Sequence, residues 1–224
     1  MLIPLTRKTY EQLIPAVATG DQYAYCWGKI SDVLKRALIS AVAASVIAVI
    51  NVLLFSSGGS LLLVTGLIAG LYWLWGPVFA ASLRNLKYRR YPYSGFWQGR
   101  VLDVFITEEI VGEEETVNKR GELVIVDSLE QRINLEVGDR TGFTTSIQAP
   151  LRRSYQEITP GQVALMVVMS DRNDLSRIAL CSDIYIPSQN LWVSDYPFLR
   201  KDVFIEVSRQ IRSELKSNRR SARP

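Results

Sequence analysis

Few residues in this chain are of the types that ordinarily carry catalysis, and their spacing withholds the usual sites. Histidine is absent, and the only cysteines are Cys26 and Cys181. Without imidazole there is no His-based triad, no His-assisted thiol nucleophile, and few of the common transition-metal ligand sets. The two cysteines stand on opposite sides of a long apolar segment and lack metal-ligand spacing, so two reduced thiols are expected. Glu108, Glu109, Glu113, Glu114 and Glu115 form an acidic cluster without the ligand pattern of an EF-hand loop, which reads as a solvated hairpin face. Asp183, Asp195 and Tyr196 gather near Trp192 and Phe198, yet an acid/base pair needs a geometry that sequence separation does not supply. Packing beneath a terminal helix is the expected role of those aromatic residues. Ser57-Gly58-Gly59-Ser60 has no strand–turn–helix context, so it is no phosphate cradle. The residues therefore nominate no catalytic group, no metal site and no cofactor, and a non-enzyme is expected.

What must be positioned is instead an apolar segment. Charged residues make up 21% of the chain, yet none falls between Ala37 and Leu83. A helix rises about 1.5 Å per residue and the hydrocarbon core is about 30 Å thick, so Ala37–Phe55 fits one crossing and Leu61–Leu83 a second. Ser56 to Ser60 would be the turn, and Gly76-Pro77 is expected to kink the second helix. Tyr72, Trp73 and Trp75 suit the headgroup level. Gly66 and Gly70 form a GxxxG pair, and Ala37, Ala41, Ser45 and Ala44, Ala48 place small residues at the same spacing on the first helix. These small residues are expected to pack the two helices of one hairpin closely, although the motif is also compatible with a homo-oligomer. Lys35 and Arg36 precede the hairpin, and Arg84, Lys87, Arg89 and Arg90 follow it. Basic flanks with an uncharged turn predict a multi-pass protein with both termini in the cytoplasm and the lipid bilayer as a partner. The formal charge of +4 first suggests nucleic acid, but this juxtamembrane placement and a basic C-terminal tail argue against a nucleic-acid partner.

Five segments follow from these patterns: an interfacial stretch over 1–36, the hairpin over 37–83, a basic linker over 84–93, a β-rich domain over 94–199, and an amphipathic helix with a basic tail over 200–224. In the first, Thr9–Ile14 suits a short helix, and Ser31 or Asp32 would cap the helix entering the bilayer. In the fourth, Glu122–Val126, Arg132–Val137, Gln162–Met169 and Arg177–Ile186 read as strands separated by turn residues, such as those at 119–121. The unbroken apolar run Val163–Met169 suits a strand buried on both faces. Short strands at this spacing suggest a small antiparallel barrel or sandwich. Phe204, Val207, Ile211 and Leu215 form one stripe of the terminal helix, expected to dock onto the β domain. The fold class is thus an α+β membrane protein.

The opening MLIPLTRKTYEQLIPAVATGDQYAYCWGK, the two apolar segments, and the later GFWQGRVLDVF and SDIYIPSQNLWVSDYP stretches together resemble a family of small cyanobacterial membrane proteins, often labelled phosphate ABC transporter permease. The resemblance runs over nearly the whole chain and implies a thylakoid or plasma membrane, with assembly of a membrane complex as a setting. It brings no catalytic motif, and the label implies more spans than this sequence has. A membrane-anchored interaction or assembly protein with an unidentified membrane-protein partner is therefore expected, with a transport component as the alternative. The uncharged interior of the hairpin offers no evident polar path or coupling relay for transport.

Overall fold

The apolar pattern changes period at Tyr91-Pro92, and the architecture changes with it. The structure, a computed structural model, describes residues 1–54, 60–117 and 123–221. It divides into a β unit, Met1–Tyr10 with Tyr91–Leu199, and a helical unit, Glu11–Arg90 with Arg200–Pro224. The chain is α+β, as the patterns predict.

The β unit is one antiparallel sheet. Its strands are β1 (Leu2–Pro4), β2 (Tyr93–Val117), β3 (Leu123–Gly138), β4 (Thr144–Pro150), β5 (Val163–Ser170), β6 (Ile178–Cys181), β7 (Ile184–Ile186) and β8 (Leu191–Val193). The order is β4-β3-β2-β5-β7-β8, with β1 also on β2 and β6 also on β5. The sequence left open a barrel or a sandwich; the strands form a single sheet, and among the described residues no ladder joins its ends β4 and β8. Strand β2 organises it. Tyr93–Arg100 pairs with β5, whereas Arg100–Val117 pairs with β3. A bulge between Val101 and Asp103 marks the handover. Gly99 lies just before it because a Cβ there would collide with the Gly138 carbonyl oxygen and the Trp97 ring.

One face of the sheet holds the main core: Trp97, Ile133, Leu135, Val137, Met166, Val168 and Ile184. Leu165, Val167 and Met169 alternate with these on β5 and are also fully buried, so the strand is covered on both faces as its apolar run predicts. The expected strand over 177–186 is two strands, β6 and β7, divided at Ser182-Asp183. The expected strands Glu122–Val126 and Arg132–Val137 are parts of the one long β3, although Glu122 itself, like the turn at 119–121, lies outside the described residues. Strand β1 was not legible as such. Three residues ending in Pro4 carry no periodicity, and only pairing with β2, with Leu2 opposite Trp97, makes them a strand.

The helical unit holds α2 (Gly20–Trp27), α3 (Ile30–Leu54), α4 (Ser60–Gly70), α5 (Tyr72–Arg89) and α6 (Lys201–Ser221), while α1 (Arg7–Leu13) crosses the boundary between units. Helix α2 opens with a full capping box, Thr19 with Gln22. At the start of α3, Asp32 acts from within the first turn, its carboxylate accepting the Lys29 N–H at 3.0 Å. Helix α6 groups with the helical unit, where the Arg200 N–H reaches the Leu13 carbonyl and Lys201 pairs with Asp21 at 2.6 Å.

Candidate membrane interface

Beyond its first two turns, which carry Asp32, Lys35 and Arg36, helix α3 is uncharged on every face, and most of that surface is uncovered. Within Ile30–Leu53 an 18-residue window has a mean hydropathy of 2.1, and only 6% of its residues are buried, the reverse of a core helix in a globular domain. Leu38, Val42, Val46, Val49 and Val52 are all more than half exposed. It is the one described helix long and apolar enough to cross a membrane by itself; α4 and α5 meet that test only as a pair bent by 71°.

A narrow stripe of α3 is covered, and α4 covers it. A Cβ at Gly66 would lie 3.5 Å from Ile47, and one at Gly70 would lie 3.7 Å from Ala44. Gly66 and Gly70 therefore do line the helix contact that the GxxxG spacing suggests. Ala41 and Ser45 do not. Both are exposed, and the Ser45 hydroxyl donates back to the Ala41 carbonyl at 2.8 Å. Spacing offers both the Ala41–Ser45 row and the Ala44–Ala48 row; the residues turned toward α4 are Ala44 and Ile47, while Ser40 is bonded to Trp73 of α5.

The second apolar segment breaks at Leu71, not at Gly76-Pro77. Proline sits inside α5, which begins afresh at Tyr72. The physical reason is that side chains satisfy the backbone groups this break exposes. The N–H of Trp73, an orphan of the first turn of α5, donates to the buried Ser40 hydroxyl at 2.9 Å. The Ile68 carbonyl, in the last turn of α4, accepts the Trp75 indole N–H at 2.9 Å. Such internal partners are what a helix break requires where water is excluded. No sequence spacing reveals them, because one partner comes from a different helix.

Aromatic rings gather around the break. Trp27 meets Tyr23 at 5.3 Å and Trp73 at 6.1 Å, and Trp75 meets Tyr72 at 5.2 Å. Beneath them, α2 is locked to α5 by polar contacts: the buried Asn85 amide donates to Gln22 Oε1 at 2.7 Å, and the Ala18 N–H to the Ser82 hydroxyl at 3.2 Å. The six flanking cations then separate into two groups. Arg36 caps α2, donating to the carbonyls of Cys26 and Trp27 while its guanidinium lies over the Trp27 ring. Arg89 pairs with Glu11 at 3.3 Å and donates to the Ile14 carbonyl. Lys35, Arg84, Lys87 and Arg90 are exposed, with Arg84 over the Tyr25 ring. Burial pushes the Cys26 thiol up, with Arg84 and Arg36 opposing the shift.

The polar candidates of the β unit are occupied structurally. Asp183 is buried, and its two oxygens accept the N–H groups of Phe198 and Leu199 at 3.0 Å each. Asp195 pairs with Arg132 at 3.3 Å, and Glu109 pairs with the same guanidinium at 3.6 Å. Glu108 accepts from Gln131. Asp183 and Asp195 thus each hold a structural partner, and the Tyr196 ring packs on Phe198 at 4.6 Å. Among the described residues no group of His, Cys, Asp or Glu is placed to hold a metal ion. An open groove of about 420 Å³ lies against β2, lined by Val104, Phe105, Leu151, Tyr155, Ile158 and Pro160, and carries no charged side chain.

These features define an α+β protein in which an uncovered apolar helix pair and an antiparallel sheet are built from one chain. A family model described as a family of unknown function (DUF8619) matches residues 3–215, and the chain belongs to that family. Comparison with curated proteins and with solved structures finds no match.

Proposed function

We propose that this protein is a membrane-anchored, non-enzymatic interaction or assembly protein. The observation that carries the reading is α3, whose apolar surface is left uncovered along the full length needed to cross a bilayer. In this reading α3 and α4 form an inserted hairpin, with both termini and the β unit in the cytoplasm. The exposed Lys35, Arg84, Lys87 and Arg90 support that orientation through the excess of cations on the cytoplasmic side. The β unit, whose buried acid Asp183 and ion-paired Asp195 and Glu109 are engaged structurally, offers the open apolar groove against β2 to a membrane-protein partner. The resemblance noted from the sequence favours a cyanobacterial thylakoid or plasma membrane.

Two measurements on the native full-length chain test this. Carbonate extraction of membranes should leave it in the pellet, and release into the supernatant would reject the anchor. Crosslinking in native membranes should then recover a reproducible membrane-protein partner; recovery of a lone monomer would reject the assembly role while leaving the anchor intact.

A further inference from the structure

Helix α5 continues the apolar surface of α4 but turns 71° away from it. Its buried side is already filled: Pro77, Ala81 and Asn85 are covered within the unit. On the opposite side Trp75, Phe79, Leu83 and Leu86 are all exposed. At 3.6 residues per turn these four fall within a sector of about 80°, and Lys87 and Arg84 occupy the adjoining sector of about 100°. Helix α5 contains no Asp or Glu. An apolar face with cations along one edge, on a helix without acidic residues, suits a helix lying in a membrane surface.

Depth agrees with this. Trp73 is bonded to Ser40, four residues beyond Arg36, so the break lies about 6 Å along α3 from the charged flank. From Ser40 to Leu54 helix α3 runs about 21 Å, and α4 runs back beside it for about 15 Å, bringing Gly66 to Ile47 and Gly70 to Ala44. With Gly70 beside Ala44 and Trp73 bonded to Ser40, the second limb ends about 6 Å from the Arg36 flank, where the rings of Tyr72, Trp73 and Trp75 gather.

We infer that α5 is an in-plane helix that binds the anionic lipid surface, with Trp75, Phe79, Leu83 and Leu86 at the acyl boundary and Arg84 and Lys87 against lipid phosphates. The inference rests on the membrane-anchor reading and adds to it a docking surface and a lipid preference. It also ends the second limb at Gly70.

Nitroxide labels test both parts separately. The full chain, with Cys26 and Cys181 replaced by serine, is reconstituted into vesicles of phosphatidylcholine and phosphatidylglycerol, carrying one label at Val46→Cys, Phe79→Cys or Leu83→Cys. All three positions are exposed, so no core side chain is replaced by a label. The expected result is a deep, oxygen-accessible Val46 label, with Phe79 and Leu83 both shallow, equal in depth and shielded from a water-soluble nickel chelate. Omitting phosphatidylglycerol should increase nickel access at Phe79, and Lys87→Gln should weaken the lipid-docked state about fivefold. A Val46 label in water would overturn the anchor itself. A Val46 label in lipid with Phe79 in water, shielded by protein from both reagents, or deeper than Leu83 by a full helical turn would overturn the in-plane assignment alone. Docking indifferent to phosphatidylglycerol would overturn the lipid preference.

Discussion

Replacing Asp183 distinguishes a structural carboxylate from a catalytic one. Its side chain is 2% exposed and accepts two backbone N–H groups at 3.0 Å, fixing the segment that leads from the sheet into α6. Hydrogen bonds to a charged acceptor are worth about 1.5–3 kcal/mol each, so Asp183→Ala removes a gross 3–6 kcal/mol, roughly. Relief of the buried charge's desolvation offsets part of this, leaving an expected loss of about 2–4 kcal/mol. Against a total domain stability of about 5–15 kcal/mol that is a large fraction. Asp183→Asn should also destabilise, since one oxygen becomes an NH₂ that meets a backbone donor. Urea unfolding in detergent micelles gives the magnitude, and hydrogen exchange at the Phe198 and Leu199 amides localises it. An asparagine variant that unfolds within about 0.5 kcal/mol of the parent, with those amides still protected, would refute the structural assignment.

Other outcomes follow from the helix contacts and from titration. Gly70→Ala should be nearly neutral in thermal unfolding, because its Cβ would meet Ala44 at an ordinary 3.7 Å, whereas Gly70→Ile should cost about 1–3 kcal/mol by overpacking. Ser40→Ala should strand the Trp73 N–H, destabilise by about 1–3 kcal/mol, and speed exchange of that amide above all others in α5. Burial works against ionisation of Asp139, but hydrogen bonds from the Thr141 hydroxyl and N–H, helped by the N-terminal ammonium, outweigh it and hold the carboxyl below its usual range. A depressed folded-state pKa stabilises above the unfolded value of about 3.9 and is lost as pH falls through the folded value. Unfolding midpoints measured on acidification should therefore decline less steeply in Asp139→Asn than in the parent.

The amino-acid sequence determined a good deal of this protein by itself. An unbroken lack of charge from Ala37 to Leu83 is a property of composition, so an exposed apolar helix was legible before any contact was known. The apolar run at Val163–Met169 likewise dictated a strand covered on both faces, and Phe204, Val207 and Ile211 dictated a buried stripe on α6. Absence of histidine removed whole classes of chemistry without reference to geometry. Tertiary structure decided whatever depended on a partner distant in the chain. Leu2–Pro4 is a strand because β2 pairs with it. Asp183 is a backbone anchor because Phe198 and Leu199 come back to it. The face of α3 that meets α4 is set by packing against Gly66 and Gly70, which excludes the equally regular stripe at Ala41 and Ser45. The second apolar segment breaks at Leu71 because Ser40, on another helix, accepts the hydrogen bond of Trp73. Local rules point to the proline; only the folded chain supplies the hydroxyl that makes the earlier break cheaper.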